Sequence, residues 1–75
     1  MANDLIEIDA RGMRCPWPAL RAARGMRERE TVLIRADDPA APRELAALAD
    51  ERGWRIETRS EGLFMLIRAG EKATR

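Results

Sequence analysis

Residues 31–39, TVLIRADDP, contain a strand, the turn that ends it and the start of a helix. The run from 31 to 36 is apolar and rich in β-branched side chains, which predicts a strand buried in part on both faces. Two acidic residues end the run, and Asp38 is placed to cap a helix that opens at Pro39. The stretch therefore predicts alternating strands and helices.

The residues before this stretch continue the alternation. Residues 5–9 alternate apolar and acidic side chains, which predicts a first strand. Gly12 ends that strand, and Pro16 is tolerated at the first position of a helix, where its missing N–H would be unpaired in any case. This helix is predicted to be amphipathic, with the following residues on its apolar side: Ala19, Leu20, Ala22, Ala23 and Met26.

The residues after it complete the pattern. The second helix is predicted to end at Gly53, and residues 54–59 and 63–68 read as two strands of a hairpin around a turn at 60–62. The order βαβαββ predicts an α/β two-layer sandwich, in which both helices cover one face of a mixed four-stranded sheet. Alternation in the last strand puts Phe64 and Leu66 on one side and Leu63, Met65 and Ile67 on the other. Only one of these sides can face the helices, so the other would leave an apolar strip on the open face, a surface for a partner or for self-association.

Length and composition limit what this fold can do. At 75 residues the chain is predicted to be a single domain, with an ordered core of about 5–69 and a frayed tail at 70–75. One cysteine and no histidine exclude an intrachain disulfide and a histidine-based metal or catalytic site, so no metal and no bound cofactor are expected. Without a bilayer-length apolar stretch or a basic leader, we expect a cytoplasmic monomer that does not insert into membranes.

The single cysteine, Cys15, carries the chemical prediction. A lone cysteine in a small domain is most often a buried apolar filler, but Cys15 lies in a loop between Gly12 and Pro16, where burial is difficult. At a helix start, and with Arg11 and Arg14 in the same loop, its pKa is expected to be lowered, which would favour the thiolate.

The segment around Cys15 is basic, with six arginines and one glutamate among residues 11–29. Trp17 either packs over the first helix or anchors a docking partner, and we weigh these equally. Arg21 and Arg24 are interpreted first as a solvated helix face, and docking to an acidic partner or to RNA is the less favoured alternative. Direct binding of nucleic acid is not expected, because the overall net charge is only +1 and Trp17 would be the sole aromatic platform.

These residues form a motif that resembles the TusA (SirA-like) sulfur-carrier family over residues 5–68. The motif and its companion turn are Asp9-x-x-Gly12-x-x-Cys15-Pro16-x-Pro18 and Asp37-Asp38-Pro39. The resemblance implies a sulfurtransferase in which Cys15 takes up sulfur as a persulfide from a cysteine desulfurase or a rhodanese-type donor and passes it to an acceptor protein. The aspartate, glycine and prolines of the motif, with Arg14, would support the loop and the helix start.

The chain departs from the family in places that concern its partners. Many members have a lysine pair in the first helix where this chain has Arg21 and Arg24, and the family's Asp-Ile-Pro in the second helix is Glu44-Leu45-Ala46 here. The sequence does not distinguish among the sulfur pathways that the family serves, which are tRNA thiolation, molybdenum-cofactor maturation and sulfur metabolism. A binding or regulatory module of the same fold, with a merely structural Cys15, remains the alternative.

Overall fold

The computed structural model describes residues 5–68, which form two helices packed on a four-stranded sheet. The elements are β1 (Leu5–Asp9), α1 (Trp17–Glu28), β2 (Thr31–Arg35), α2 (Ala41–Arg52), β3 (Arg55–Ser60) and β4 (Leu63–Ile67). The predicted two-layer sandwich is confirmed. The tail predicted at 70–75 and the last residue of the predicted core lie outside the described residues.

The strand order in the sheet is β1-β2-β4-β3, so β2 and β4 occupy its centre. β1 pairs with β2 in parallel, and the other two pairings are antiparallel. On the helix side, Val32 lies opposite Leu66 and Ile34 lies opposite Phe64, and all four side chains are buried. These two cross-strand pairs form the middle of the core, where apolar burial contributes most of the folding free energy.

Both helices cover this face. From α1, Ala22 and Met26 are fully buried, and a Cβ atom at Gly25 would lie 3.0 Å from the side chains of Ile8 and Val32. The absence of a side chain at Gly25 therefore lets the backbone of α1 approach the sheet closely. From α2, the core receives Ala41, Leu45 and Ala49.

Both helices start later in the sequence than predicted. α2 begins at Ala41, not at Pro39, because the Asp38 carboxylate accepts the Ala40 N–H at 2.7 Å and holds a turn ahead of the helix. α1 begins at Trp17, and Pro16 is its N-cap residue. The placement of Leu20 on the apolar side of α1 was wrong, since this side chain is 50% exposed.

The other face of the sheet has no covering layer within residues 5–68. Leu33 from β2 and Met65 from β4 face one another there and are half-buried, with Leu63 and Ile67 beside them. The predicted apolar strip is therefore present as a surface feature. Across the described residues, neither helix has the length and apolarity to cross a membrane.

Candidate functional site

Cys15 lies in the loop between β1 and α1, one residue before the N-cap of the helix. Its thiol is free and its residue is exposed, so it is not a buried filler of the core. The peptide bond from Cys15 to Pro16 is cis. The second proline of the motif, Pro18, is buried within the first turn of α1 and fixes that end of the loop to the core.

Two aspartates from the turn after β2 bind the backbone of this loop. Asp37 Oδ1 accepts the N–H of Gly12 at 2.9 Å, and Asp38 Oδ2 accepts the N–H of Cys15 at 3.0 Å. Gly12 has φ +86°, a conformation that glycine adopts without steric cost. The loop that presents the sulfur is therefore held by hydrogen bonds to a distant part of the chain.

Asp38 joins the cysteine loop to the entry of α2, since its second oxygen accepts the N–H of Ala40. The hydrogen bonds from Ala40 and Cys15 lower the pKa of Asp38 below its usual value. They are consequently present at neutral pH and lost when acid protonates the carboxylate.

Replacing Asp38 by Ala should release both amides. We expect faster hydrogen exchange at the Cys15 and Ala40 N–H groups, measured by NMR, because their acceptor is gone. Asp50→Ala, on the exposed side of α2, is the control and should leave both rates unchanged. Unchanged exchange in the Asp38→Ala variant would contradict this account of the loop.

The predicted electrostatics of Cys15 were wrong. The structure raises the pKa of Cys15: interaction of the thiol with the Glu44 carboxylate is the largest cause, desolvation adds to it, and the negative charges of Glu44 and Asp38 act in the same direction. The thiol of the free chain is thus favoured over the thiolate.

The groups that were expected to lower this pKa have other partners. Arg11 pairs with Asp9, with two guanidinium–carboxylate contacts of 2.8 Å, and this ion pair holds the pKa of Asp9 well below its usual range. The positive charge of Arg14 helps to lower the pKa of Asp38, and Arg14 is not among the causes that shift the pKa of Cys15. At the start of α1, the Trp17 N–H donates to the Arg14 carbonyl at 2.8 Å and Pro18 has no N–H, so neither donates to the thiol.

The first turns of α1 present an exposed surface next to the cysteine. Trp17 is 57% exposed, so its side chain lies at the surface and not in the core. Arg21 and Arg24 are exposed, and with Trp17 they line an open groove whose floor includes Ile8. Aromatic and arginine side chains in this arrangement are typical of docking surfaces.

The sequence analysis did not connect Cys15 with Glu44, whose carboxylate contributes to raising the pKa of this cysteine. Glu44 is half-buried in the first turn of α2, and no local pattern marks it, because its relation to Cys15 arises only when α2 packs beside α1. Within residues 5–68, the acidic and thiol side chains form no group of three or more that could hold a metal ion.

Comparisons with known proteins agree with this architecture. Residues 6–68 match the family model described as sulfurtransferase TusA. The fold is similar to the crystal structure of a SirA-like protein from Desulfitobacterium hafniense, with a TM-score of 0.70 and 24% sequence identity. That match covers 84% of this chain and 95% of the other, so the likeness extends over the whole sandwich.

Proposed function

The chain belongs to the TusA family of sulfurtransferases, and on that basis we propose that it is a sulfur carrier that holds a sulfane sulfur as a persulfide on Cys15 and passes it to an acceptor protein. The observation that carries this proposal is the exposed free thiol of Cys15, in a loop fastened to the turn after β2. A carrier must meet a donor and an acceptor in turn, and only an exposed sulfur permits both encounters.

The proposed transfer needs two displacements at sulfur. The Cys15 thiolate attacks the outer sulfur of a protonated donor persulfide, forming a new S–S bond as the donor's own S–S bond breaks and the electron pair leaves on the donor cysteine. An acceptor thiolate then attacks the outer sulfur held on Cys15. The S–S bond to Cys15 breaks, and the Cys15 sulfur keeps the electron pair as a thiolate. No net oxidation occurs and no bound cofactor is required.

Residues around the cysteine would serve the two encounters in different ways. Five residues would support the cysteine loop and the start of α1: Asp9, Gly12, Arg14, Pro16 and Pro18. A preorganised loop loses little entropy when a partner binds, which favours repeated docking. The exposed side chains of Trp17, Arg21 and Arg24 would contact the partner, for which an acidic surface is the complementary choice. The donor would be a cysteine desulfurase or a rhodanese-type protein.

Intact mass measurement tests the proposal directly. The chain is incubated either with a cysteine desulfurase and cysteine or with a rhodanese and thiosulfate, and its mass is compared with that of the untreated chain. We expect a gain of one sulfur atom per chain, removed by a thiol reductant. No adduct with either donor would contradict sulfur carriage and favour a binding module of the same fold.

A further inference from the structure

The outer side of β1 is an open edge of the sheet. β1 pairs with β2 on one side and has no neighbouring strand on the other among residues 5–68. The Ala10 N–H, just after β1, donates to the Arg35 carbonyl at 2.8 Å, so the backbone groups of the even-numbered residues point toward β2. Because a strand alternates with a period of two, the N–H and C=O groups of Glu7 and Asp9 point outward, where another strand can pair with them.

The opposite edge of the sheet is less suited to pairing. It is formed by β3, whose register with β4 shifts between Thr58 and Ser60. Arg55 and Arg59 both form ion pairs with Glu57 along this strand, at 3.4 and 2.9 Å. Bulges and charged side chains commonly protect edge strands from added strands. β1 keeps a regular register with β2 over its five residues, so it is the edge to which a strand can add.

The open edge borders the groove between β1 and α1. Ile6, Ile8 and Met13 are half-buried and give the groove an apolar lining, while Arg21 and Arg24 are exposed and line it from α1. Within the described part of the chain neither arginine forms an ion pair. A strand added to β1 would direct alternate side chains into this groove, where two cations and an apolar surface would meet them.

We propose that this edge and groove bind an extended segment of a partner protein, which adds to the sheet as a strand beside β1 and directs acidic side chains at alternate positions toward Arg21 and Arg24. Hydrogen bonds to the backbone of Glu7 and Asp9 would hold the strand, and the groove would select its side chains. The docking surface belongs to the free chain, but naming its occupant as a sulfur donor or acceptor rests on the proposed function.

The groove leads to the cysteine loop. Met13 and Trp17 line it, and they lie two residues before and two residues after Cys15. Glu28, the last residue of α1, also lines the groove and favours a basic side chain at the end away from Trp17. A segment bound along β1 therefore has one end near the cysteine loop, which suits a segment that carries a donor or acceptor cysteine.

A second copy of this chain is a poor occupant of the edge. Two copies joined through β1 by a two-fold axis would pair antiparallel, with Glu7 opposite Glu7 or Asp9 of the other copy. Like charges directly opposite each other destabilise paired strands. The same arrangement would bring the arginines of both grooves together, so charge complementarity favours a different, acidic partner segment.

The direct test uses a short acetylated peptide in which threonine alternates with valine and glutamate, so that valine and glutamate share one face of the extended strand. Titration followed by NMR should show saturable binding. At saturation, hydrogen exchange at the Glu7 and Asp9 N–H groups should slow, because these groups gain acceptors. The Ile8 N–H, which points toward β2, is the internal control and should not change. Absence of binding, or unchanged exchange at both Glu7 and Asp9, would overturn the proposal.

Charge selection is tested on both molecules. Arg21→Glu combined with Arg24→Glu should weaken binding of the peptide by about tenfold, since two attractive contacts become repulsive. Arg27→Glu combined with Arg43→Glu makes the same change in net charge at exposed positions outside the groove, and it should have a smaller effect. A peptide with glutamine in place of glutamate should bind the wild-type chain more weakly. Equal weakening by the two double variants would refute the role of the groove.

A proline at the edge tests the strand pairing itself. Glu7→Pro removes one outward N–H and leaves the hydrogen bonds to β2 in place, so peptide binding should be lost. Glu7→Thr keeps the N–H and should still bind, and the thermal midpoint of both variants is recorded by circular dichroism. Binding of wild-type strength by a folded Glu7→Pro variant would contradict strand addition. If this variant unfolds, exchange at Asp9 and the arginine variants decide the question.

Sedimentation equilibrium of the free chain completes the comparison. We expect the monomer mass, whereas a dimer that Glu7→Pro dissociates would place a second copy at the edge and overturn the proposal. None of these measurements involves sulfur transfer. Failure of the peptide to bind would therefore refute the docking surface without affecting the loading of Cys15, and failure of every donor to load Cys15 would count against the proposed function while the peptide results still stand.

Discussion

Cys15→Ser is expected to abolish sulfur loading completely. The variant keeps the size and the backbone of the residue but replaces the sulfur by a hydroxyl oxygen, which does not attack a persulfide at neutral pH. Since the chain has one cysteine, no second thiol can substitute for it. Intact mass spectra after incubation with the donor should show the unmodified mass alone, where the wild-type chain gains one sulfur.

The loss must be separated from damage to the fold. Cys15 is exposed, and its hydrogen bond to Asp38 uses the backbone N–H, so serine leaves that contact in place. The thermal midpoint of Cys15→Ser should therefore equal that of the wild type. A reductant-labile sulfur on the serine variant would mean that loading takes place elsewhere on the chain, and the carrier assignment to Cys15 would have to be withdrawn.

The strands, the helices and their order along the chain could be predicted from the sequence because their signals are local. Residues 5–9 show the two-residue alternation of a strand, and the β-branched run that starts at Thr31 has the composition of a buried strand. Gly53 ends α2 with φ +76°, as a glycine after the last periodic residue predicts. The start of α2 was harder to predict from the sequence, because the Asp38 side chain accepts a hydrogen bond in a turn that competes with the helical conformation.

The ionisation of Cys15 could not be predicted in the same way, because it depends on which charges meet after folding. The sequence places Arg11 and Arg14 close to the cysteine, but Arg11 is paired with Asp9, two residues away. The carboxylate that contributes most to raising the pKa of Cys15, Glu44, belongs to α2. The sequence located an exposed cysteine in a loop, while its electrostatic environment is a property of the tertiary structure.

The stability of the sheet that carries this site depends most on its central strands, β2 and β4. Leu66→Ala is therefore expected to lower the free energy of unfolding by about 2–5 kcal/mol. Leu66 is fully buried in β4, opposite Val32 on one side and Ile56 on the other. Truncation leaves a cavity between both neighbouring strands and the helices, and a small domain cannot collapse around it without disturbing the register. Urea denaturation monitored by circular dichroism measures the loss.

Leu20→Ala is the matched control, because it is the same chemical change at a side chain that is 50% exposed. Alanine and leucine have similar helix propensities, so this variant should change the free energy of unfolding by no more than about 0.5 kcal/mol. A chain of this length has a total stability of roughly 4–11 kcal/mol, so Leu66→Ala would remove a large fraction of it. Equal losses in the two variants would contradict the assignment of Leu66 to the core, and with it the claim that β2 and β4 form the frame on which the cysteine loop and the first turn of α2 are positioned.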